Sequence, residues 1–226
     1  MIKAIVFDLD GTLTEFNLDY KGVRSEAIQF FASRGFDSSM FTLNESVFEM
    51  LEIAEVYVRQ HNEGGRKSEG IRRDIFLLAD RYEILAARTT RLLPSANMLL
   101  EAAKRMRLKR ALYTTKGKKA TDYILKHFHI NRFFDIVITR EDVSAIKPNV
   151  AHLETVLEAL DTKPEEAIIV GDSTEDVLCG RQLNTITIAV TTGVSSLSEL
   201  VDSGAKYVFP SLNDVIPAMK RILRQG

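Results

Sequence analysis

Short apolar runs alternate with amphipathic segments over most of the chain. Runs rich in β-branched and aromatic residues, with the length of buried strands, occupy residues 3–7, 110–115, 134–139, 167–170, 185–190 and 207–209. Segments in which apolar residues recur at helical spacing separate most of these runs. Because strands that alternate with helices form parallel sheets, the pattern predicts an α/β fold with a doubly wound parallel sheet.

The alternation stops between residue 14 and about residue 94. Apolar residues recur there at helical spacing in two series, Val47, Leu51, Ala54 and Val58, then Ile71, Ile75, Leu78, Tyr82 and Leu85. Pro94 and Ser95 mark the end, because proline disfavours helix at the residue before it and Ser95 can cap the next helix. We predict an all-helical insertion, residues 16–90, in a core of residues 1–15 and 91–226.

Composition limits the class of protein. The 226 residues carry 30 Lys and Arg against 31 Asp and Glu, and this balance favours neither nucleic acid nor an anionic membrane as a partner. Cys179 is the single cysteine, and Asp8 interrupts the first apolar run before it could form a secretory leader. The least charged stretch, residues 182–198, has an apolar core too short to span a bilayer. We expect a soluble protein of a reducing cytoplasm.

Polar residues that suit phosphate chemistry follow short apolar runs. They are Asp8 and Asp10, Thr114 and Thr115, Lys147, and Asp172 and Asp176. Because open parallel sheets bind ligands beyond the carboxyl ends of their strands, we expect these side chains to meet in one crevice. Carboxylates crowded together need a cation, and oxygen ligands favour Mg²⁺. With a lysine and a threonine hydroxyl, the set predicts phosphoryl transfer.

The loop after the first predicted strand has a coherent sequence. Asp8 and Asp10 are two residues apart, so both point to the same side of an extended chain and Leu9 points back to the core. Gly11 permits a turn, and Thr12 can fix the loop by a local hydrogen bond. Two carboxylates would therefore reach one substrate.

Four motifs occur in a recognisable order. They are Phe7-Asp8-Leu9-Asp10-Gly11-Thr12-Leu13, Thr114, Lys147-Pro148, and Gly171-Asp172-Ser173-Thr174-Glu175-Asp176. Together they resemble the haloacid dehalogenase-like hydrolase superfamily. The resemblance covers the whole chain, and it implies a Rossmann-like core with a helical first-position cap, as in phosphoglycolate-phosphatase-like members.

The resemblance also implies a role for each residue. Asp8 would be the nucleophile that forms an aspartyl-phosphate. Asp10 would protonate the leaving oxygen and then deprotonate the water that hydrolyses the intermediate. Thr114 and Lys147 would bind the phosphoryl group, and Lys147 would balance the charge of Asp8. Thr115 stands where the family commonly has Asn, so we expect it to act through its backbone N–H.

A metal site is implied in the same way. The Asp8 carboxylate, the Asp10 carbonyl and the Asp172 carboxylate would hold Mg²⁺. Asp176 would stand behind them and orient Lys147 or a metal-bound water.

The expected function is hydrolysis of a small phosphorylated metabolite, with the cap closing over the core to exclude water and supply specificity. A monomer and a homodimer are both compatible with the sequence. Two alternatives remain open: a phosphomutase of the β-phosphoglucomutase type, and a phospho-aspartate regulatory or binding protein. Asp10 argues against the dehalogenase and phosphonatase branches, whose members lack an Asp at that spacing.

Other polar residues have simpler interpretations. The four histidines, His61, His127, His129 and His152, are expected at the surface or at a boundary, because they lack metal-ligand spacing. Cys179 is expected in the core. Residues 115–119 are interpreted as a solvated, basic helix start. Residues 61–73, rich in glycine and cations, are interpreted as a solvated linker, with a loop that binds a second anionic group of the substrate as the alternative.

Overall fold

The computed structural model describes residues 1–61 and 65–225, with only the backbone described for residues 65–68 and 225. Its strands are β1 (Ala4–Phe7), β2 (Lys109–Tyr113), β3 (Ile136–Ile138), β4 (Ala167–Gly171), β5 (Ile186–Val190) and β6 (Tyr207–Phe209). They form one sheet in the order β3-β2-β1-β4-β5-β6, and every neighbouring pair is parallel. The predicted α/β fold with a parallel sheet is confirmed.

Helices follow the strands and make up the insertion. They are α1 (Tyr20–Ser33), α2 (Val47–Gln60), α3 (Gly65–Ala87), α4 (Ala96–Arg105), α5 (Lys118–His127), α6 (Val150–Ala159), α7 (Thr174–Gln182), α8 (Leu197–Asp202) and α9 (Leu212–Gln225). Among the described residues, no helix combines the length and the apolar character that crossing a bilayer requires.

The chain divides into two compact units, Met1–Phe16 with Thr90–Gly226, and Asn17–Thr89. The first unit contains the sheet and helices α4 to α9, and the second contains α1 to α3. The assignment of these units as a catalytic core and a cap stays a prediction.

Register within the sheet places the strand ends side by side. Phe7, the last residue of β1, is paired with Leu112 of β2 and with Val170 of β4. All four residues of β1 are fully buried, which is typical of a central parallel strand covered on both faces. The residues that follow β1, β2 and β4 therefore emerge at the same edge of the sheet.

The helical unit has its own aromatic core. The Phe31 ring of α1 stacks on Phe41 with the ring centres 4.6 Å apart, and Phe36 packs edge-on against both. Ser46 begins α2 with a capping box in which its side chain accepts the Glu49 N–H, and the Glu49 side chain accepts the Ser46 N–H. These contacts explain why the segment folds as a compact helical unit.

The interpretation of residues 61–73 as a solvated linker is wrong for residues 65–73. Residues 65–73 belong to α3, and residues 62–64 lie outside the described residues. Arg72 donates two hydrogen bonds to the Glu55 carboxylate of α2, at 2.7 and 2.8 Å. This cation therefore ties two helices of the unit together.

The predicted side-chain cap at Ser95 is also wrong. Ser95 does precede α4, but its φ of 67° lies in the left-handed region, and its side chain makes no cap hydrogen bond. A capping side chain normally requires an extended residue at this position. The Ser95 backbone still starts the helix, because its carbonyl accepts the Leu99 N–H of α4 at 2.9 Å.

Candidate active site

The loop after β1 curls around one carbonyl group. Asp8 continues the sheet by donating its N–H to the Val170 carbonyl at 2.9 Å. The Leu9 carbonyl then accepts the N–H groups of Leu13 and Thr14 at 2.8 and 2.9 Å. The Leu9 side chain is fully buried, as predicted. This winding leaves the carboxyl groups of Asp8 and Asp10 at the edge of the sheet.

Gly11 is required in this loop for two reasons. Its φ of 80° is a left-handed conformation that residues with a side chain rarely adopt. A Cβ atom at Gly11 would also lie 2.4 Å from Oδ2 of Asp172. The glycine therefore allows the β1 loop to approach the β4 loop.

Thr12 does not make the local hydrogen bond that we predicted. Its hydroxyl donates to Oδ1 of Asp172 at 2.9 Å, which is possible because β1 and β4 are neighbours in the sheet. Thr14 makes the local bonds instead, donating to the Leu9 carbonyl at 3.2 Å and to Oδ1 of Asp10 at 3.4 Å. Thr12 therefore orients a predicted metal ligand on the adjacent loop.

Lys147 joins two carboxylates at the centre of the site. Its Nζ lies 2.6 Å from Oδ1 of Asp8 and 2.8 Å from Oδ1 of Asp176, and all three side chains are buried. Although burial lowers the pKa of Lys147, the charges and hydrogen bonds of Asp176 and Asp8 raise it above its ordinary value. The ammonium form is therefore fixed at this position.

Asp176 is held from four directions. Oδ1 accepts from Lys147 and from the Tyr113 hydroxyl at 2.7 Å, while Oδ2 accepts from the hydroxyl and the N–H of Ser173 at 2.7 and 3.2 Å. Burial raises the pKa of Asp176, but Lys147 and the hydroxyl donors outweigh burial and hold it below its ordinary value. Asp176 is thus an anchored anion that positions Lys147.

Three carboxylates converge in this crevice. Asp8, Asp172 and Asp176 each present an oxygen atom, and these atoms all lie within 4.8 Å of one another. Burial raises the pKa of Asp8 well above its ordinary value, and burial followed by the charge of Asp176 raises the pKa of Asp172 to about 6. Such oxygen ligands, crowded and poorly solvated, fit a hard divalent cation. These residues could hold a metal ion.

Thr114 and Thr115 lie in the loop that follows β2. Thr114 is buried, and its hydroxyl accepts the Lys116 N–H at 3.1 Å. Thr115 is half-buried, and its carbonyl accepts from the buried Arg140 guanidinium at 3.2 Å. Both threonines stand at the edge where β1 and β4 also end, and their phosphate-binding roles stay predictions.

Lys116 is a site residue that the sequence reasoning missed. The expected solvated helix start is wrong for Lys116, because its side chain is buried and its Nζ lies 2.9 Å from Oδ2 of Asp10. Lys118 and Lys119, at the start of α5, are exposed. Its position in the sequence could have indicated a role in the site, because Lys116 directly follows Thr114 and Thr115 in a loop that was predicted to be functional.

His152 and Tyr113 form the base of the site. The prediction of a surface or boundary position holds for His61, His127 and His129, which are exposed, and is wrong for His152, which is fully buried. The Lys147 N–H donates to His152 Nδ1 at 3.4 Å, and Lys147 Nζ lies 4.3 Å from the centre of the Tyr113 ring. The helical face of α6 that carries His152 also carries the core residue Val156, so His152 is turned toward the sheet.

Cys179 is a core residue, as predicted. Its thiol lies on α7, fully buried and 3.6 Å from the Asn149 carbonyl. Burial raises the pKa of the thiol to about 12. A buried thiol with a raised pKa fits a structural role for Cys179 better than a nucleophilic one.

Comparison with known proteins places the chain in a family. A family model described as haloacid dehalogenase-like hydrolase matches residues 5–190. The pyrophosphatase PpaX of Bacillus mycoides is 27% identical over 98% of this chain and 98% of its own length. A hydrolase structure from Pseudomonas syringae covers 97% of this chain and 99% of its own, with a TM-score of 0.71 and 21% identity. A structure of a predicted phosphoglycolate phosphatase from Haemophilus somnus covers 96% and 98%, with a TM-score of 0.66 and 20% identity.

The family match extends over all four motifs of the sequence, from the Asp8 loop to the Asp172 loop. The two solved structures have the same fold over nearly their whole length. The chain belongs to the haloacid dehalogenase-like hydrolase family, and the expectation of an enzyme of this family is confirmed.

Proposed function

We propose that the protein is a Mg²⁺-dependent phosphatase that hydrolyses small phosphomonoesters through a phosphorylated Asp8. One observation carries the proposal. Lys147 bridges the buried carboxylates of Asp8 and Asp176, and Asp172 presents an oxygen within 4.8 Å of both. A nucleophile, a fixed cation and oxygen ligands for a metal therefore occupy one crevice at the ends of β1 and β4.

The reaction uses Asp8 and Asp10 in two steps. An oxygen of Asp8 attacks phosphorus, the bond from phosphorus to the leaving oxygen breaks, and Asp10 gives its proton to that oxygen. Asp10 then takes a proton from water, which attacks the phosphorus of the acyl phosphate and releases Asp8 with inorganic phosphate. Lys147 stays protonated and offsets charge on the phosphoryl oxygens in both steps.

The balance of charge supports a divalent ion. The site has four carboxylates and two buried ammonium groups, so two formal negative charges remain when all six groups are ionised. The carboxylates belong to Asp8, Asp10, Asp172 and Asp176, and the ammonium groups belong to Lys116 and Lys147. Oxygen ligands alone favour Mg²⁺ over softer metals. We assign the carboxylates of Asp8 and Asp172 and the Asp10 carbonyl as its ligands. Bound there, Mg²⁺ would supply positive charge to the phosphoryl oxygens.

The chemistry of the site and the named relatives support a proposal for the substrate class. The named function of the Bacillus mycoides relative is pyrophosphate hydrolysis, and its 27% identity extends over nearly the whole chain. We therefore place small phosphorylated molecules, pyrophosphate included, in the substrate class. Selection among them is assigned to the helical unit, residues 17–89.

The test is phosphate release from a panel of phosphomonoesters and pyrophosphate, with Mg²⁺ and with a chelator. Wild type is compared with Asp8→Asn and Asp10→Ala, and the exposed Asp202→Asn on α8 serves as the matched control. We expect chelator-sensitive release by wild type and by the control. Asp8→Asn should release no phosphate, and Asp10→Ala should be about 10²–10⁴-fold slower.

Two other results would change the assignment. Full turnover by a folded Asp8→Asn protein would contradict the aspartyl-phosphate mechanism. Isomerisation of a sugar phosphate without net phosphate release would favour the phosphomutase alternative.

A further inference from the structure

Lys116 is a buried cation whose charge faces the predicted acid and base of the reaction. It lies in the loop between β2 and α5, and its side chain is only 4% exposed. Its Nζ lies 2.9 Å from Oδ2 of Asp10, whose side chain is 22% exposed. Lysine is rarely buried without a reason, because transferring an ammonium group out of water is costly.

The two ends of Lys116 contact two predicted site residues. Its backbone N–H donates to the Thr114 hydroxyl at 3.1 Å, and its ammonium group reaches Asp10. The side chain therefore spans the gap between the β2 loop and the β1 loop. This arrangement fixes the distance between the predicted phosphate-binding hydroxyl and the predicted acid.

Asp10 is held at both of its oxygens. Oδ1 accepts from the hydroxyl of buried Thr14 at 3.4 Å, and Oδ2 is paired with Lys116. Of these contacts the one to Lys116 is shorter and carries a full charge, so it contributes more to the orientation. Among the described residues, removal of the ammonium group would leave the Asp10 carboxyl with the long hydrogen bond from Thr14.

From these contacts we propose that Lys116 is a positioning residue for Asp10, holding its carboxyl group where it can deliver a proton to the leaving oxygen. The inference rests on the proposed function. In this step a bond forms from an oxygen of Asp8 to phosphorus, the bond from phosphorus to the leaving oxygen breaks, and the leaving oxygen takes the proton of Asp10. Because proton transfer depends steeply on geometry, a carboxyl displaced by about 1 Å can slow the step by about 10²-fold.

The dependence on the leaving group separates positioning from a merely structural role. An alkoxide is a poor leaving group and needs the proton of Asp10, whereas p-nitrophenolate leaves readily without it. The quantity kcat/KM on each ester reports transition-state stabilisation for the step in which Asp8 is phosphorylated. Misplacement of Asp10 should therefore slow alkyl phosphates far more than p-nitrophenyl phosphate, while general damage to the site would slow both.

The experiment compares Lys116→Met, which keeps the length of the side chain and removes its charge, with Lys116→Arg, which keeps the charge. Exposed Lys118→Met, two residues along the chain, is the matched control. We expect Lys116→Met to lower kcat/KM on glycerol phosphate by about 10–10²-fold and on p-nitrophenyl phosphate by less than about 3-fold. Lys116→Arg should recover part of the loss, and the control should match wild type.

A double-mutant cycle completes the test. In an Asp10→Asn background, Lys116→Met should cause little further loss on glycerol phosphate, because both changes remove the same proton transfer. Equal losses on the two esters, or no loss on either, would overturn the role of Lys116 and leave the proposed function standing. Wild type that releases no phosphate from these two esters or from any other member of the panel would overturn both.

Discussion

The buried imidazole of His152 should make the stability of the protein depend on pH. Burial, followed by the positive charge of Lys147, lowers the pKa of the His152 imidazole from its ordinary 6.5 to about 3. Between these two values the unfolded chain binds a proton at His152 and the folded protein does not. The free energy of unfolding therefore falls as the pH falls from 6.5 toward 3. The contribution of neutral His152 to that free energy is complete above pH 6.5.

The size of the effect follows from the two pKa values. A pH of about 4.5 lies about two units below the ordinary pKa of the imidazole, so the ring is protonated in the unfolded chain and still neutral in the folded protein. About 2.7 kcal/mol of the free energy of unfolding is therefore lost relative to about pH 7.5. His152→Asn removes the titrating ring and keeps an acceptor near the position of Nδ1. The variant should be less stable at every pH, but its loss between the two pH values should be smaller than that of wild type by about 2–3 kcal/mol.

The assay is urea unfolding of both proteins at the two pH values, in the presence of a chelator so that metal binding adds no pH dependence of its own. His127→Asn, at an exposed histidine on α5, is the control and should follow wild type. If wild type and His152→Asn lose the same free energy on acidification, the neutral buried state assigned to His152 is refuted.

Three further predictions concern the crevice. Mg²⁺ at roughly a hundredfold excess over its dissociation constant should raise the free energy of unfolding by about 2.7 kcal/mol, measured by thermal unfolding. Asp172→Asn should abolish this gain, and an equal gain in the variant would contradict the assignment of Asp172 as a ligand. Gly193→Ala should weaken Mg²⁺ binding by about 10–100-fold in calorimetric titration, because the added Cβ would lie 1.7 Å from Oδ2 of Asp172. Gly70→Ala has open space around the new Cβ and should bind like wild type. Tyr113→Phe should lower the free energy of unfolding in urea by about 1.5–3 kcal/mol, since Asp176 loses a hydrogen bond of 2.7 Å to a charged acceptor, and an unchanged value would count against that bond.

Strand positions could be predicted from the sequence because a buried parallel strand has a continuous apolar run. Residues 3–7 and 167–170 differ from β1 and β4 by one residue at one end. Where apolar runs included polar ends, the bounds were too wide: β2 stops at Tyr113, so Thr114 and Thr115 lie in the loop that follows. The parallel pairing then brings Asp8 and Asp172 together, as the rule for strand ends predicts.

The residues that escaped prediction are those whose environment comes from distant parts of the chain. Lys116 resembles its exposed neighbours Lys118 and Lys119 in residue type, but it is buried and contacts Asp10. His152 has the residue type of a surface position, yet it lies on the apolar face of α6. Thr12 was expected to bond locally, but the adjacent β4 loop offers it the Asp172 carboxylate. In each case tertiary contact overrides what residue type alone favours.

The most direct test of the central claim is to trap the phosphorylated enzyme. A phosphate ester labelled on phosphorus is mixed with wild type and Mg²⁺, the reaction is quenched in acid during turnover, and the labelled peptide is identified by mass spectrometry. The mechanism predicts one phosphoryl group on the peptide that contains Asp8, more of it in Asp10→Ala when p-nitrophenyl phosphate is the substrate, and none in Asp8→Asn. Phosphate release by wild type with no label on that peptide in either wild type or Asp10→Ala would contradict it.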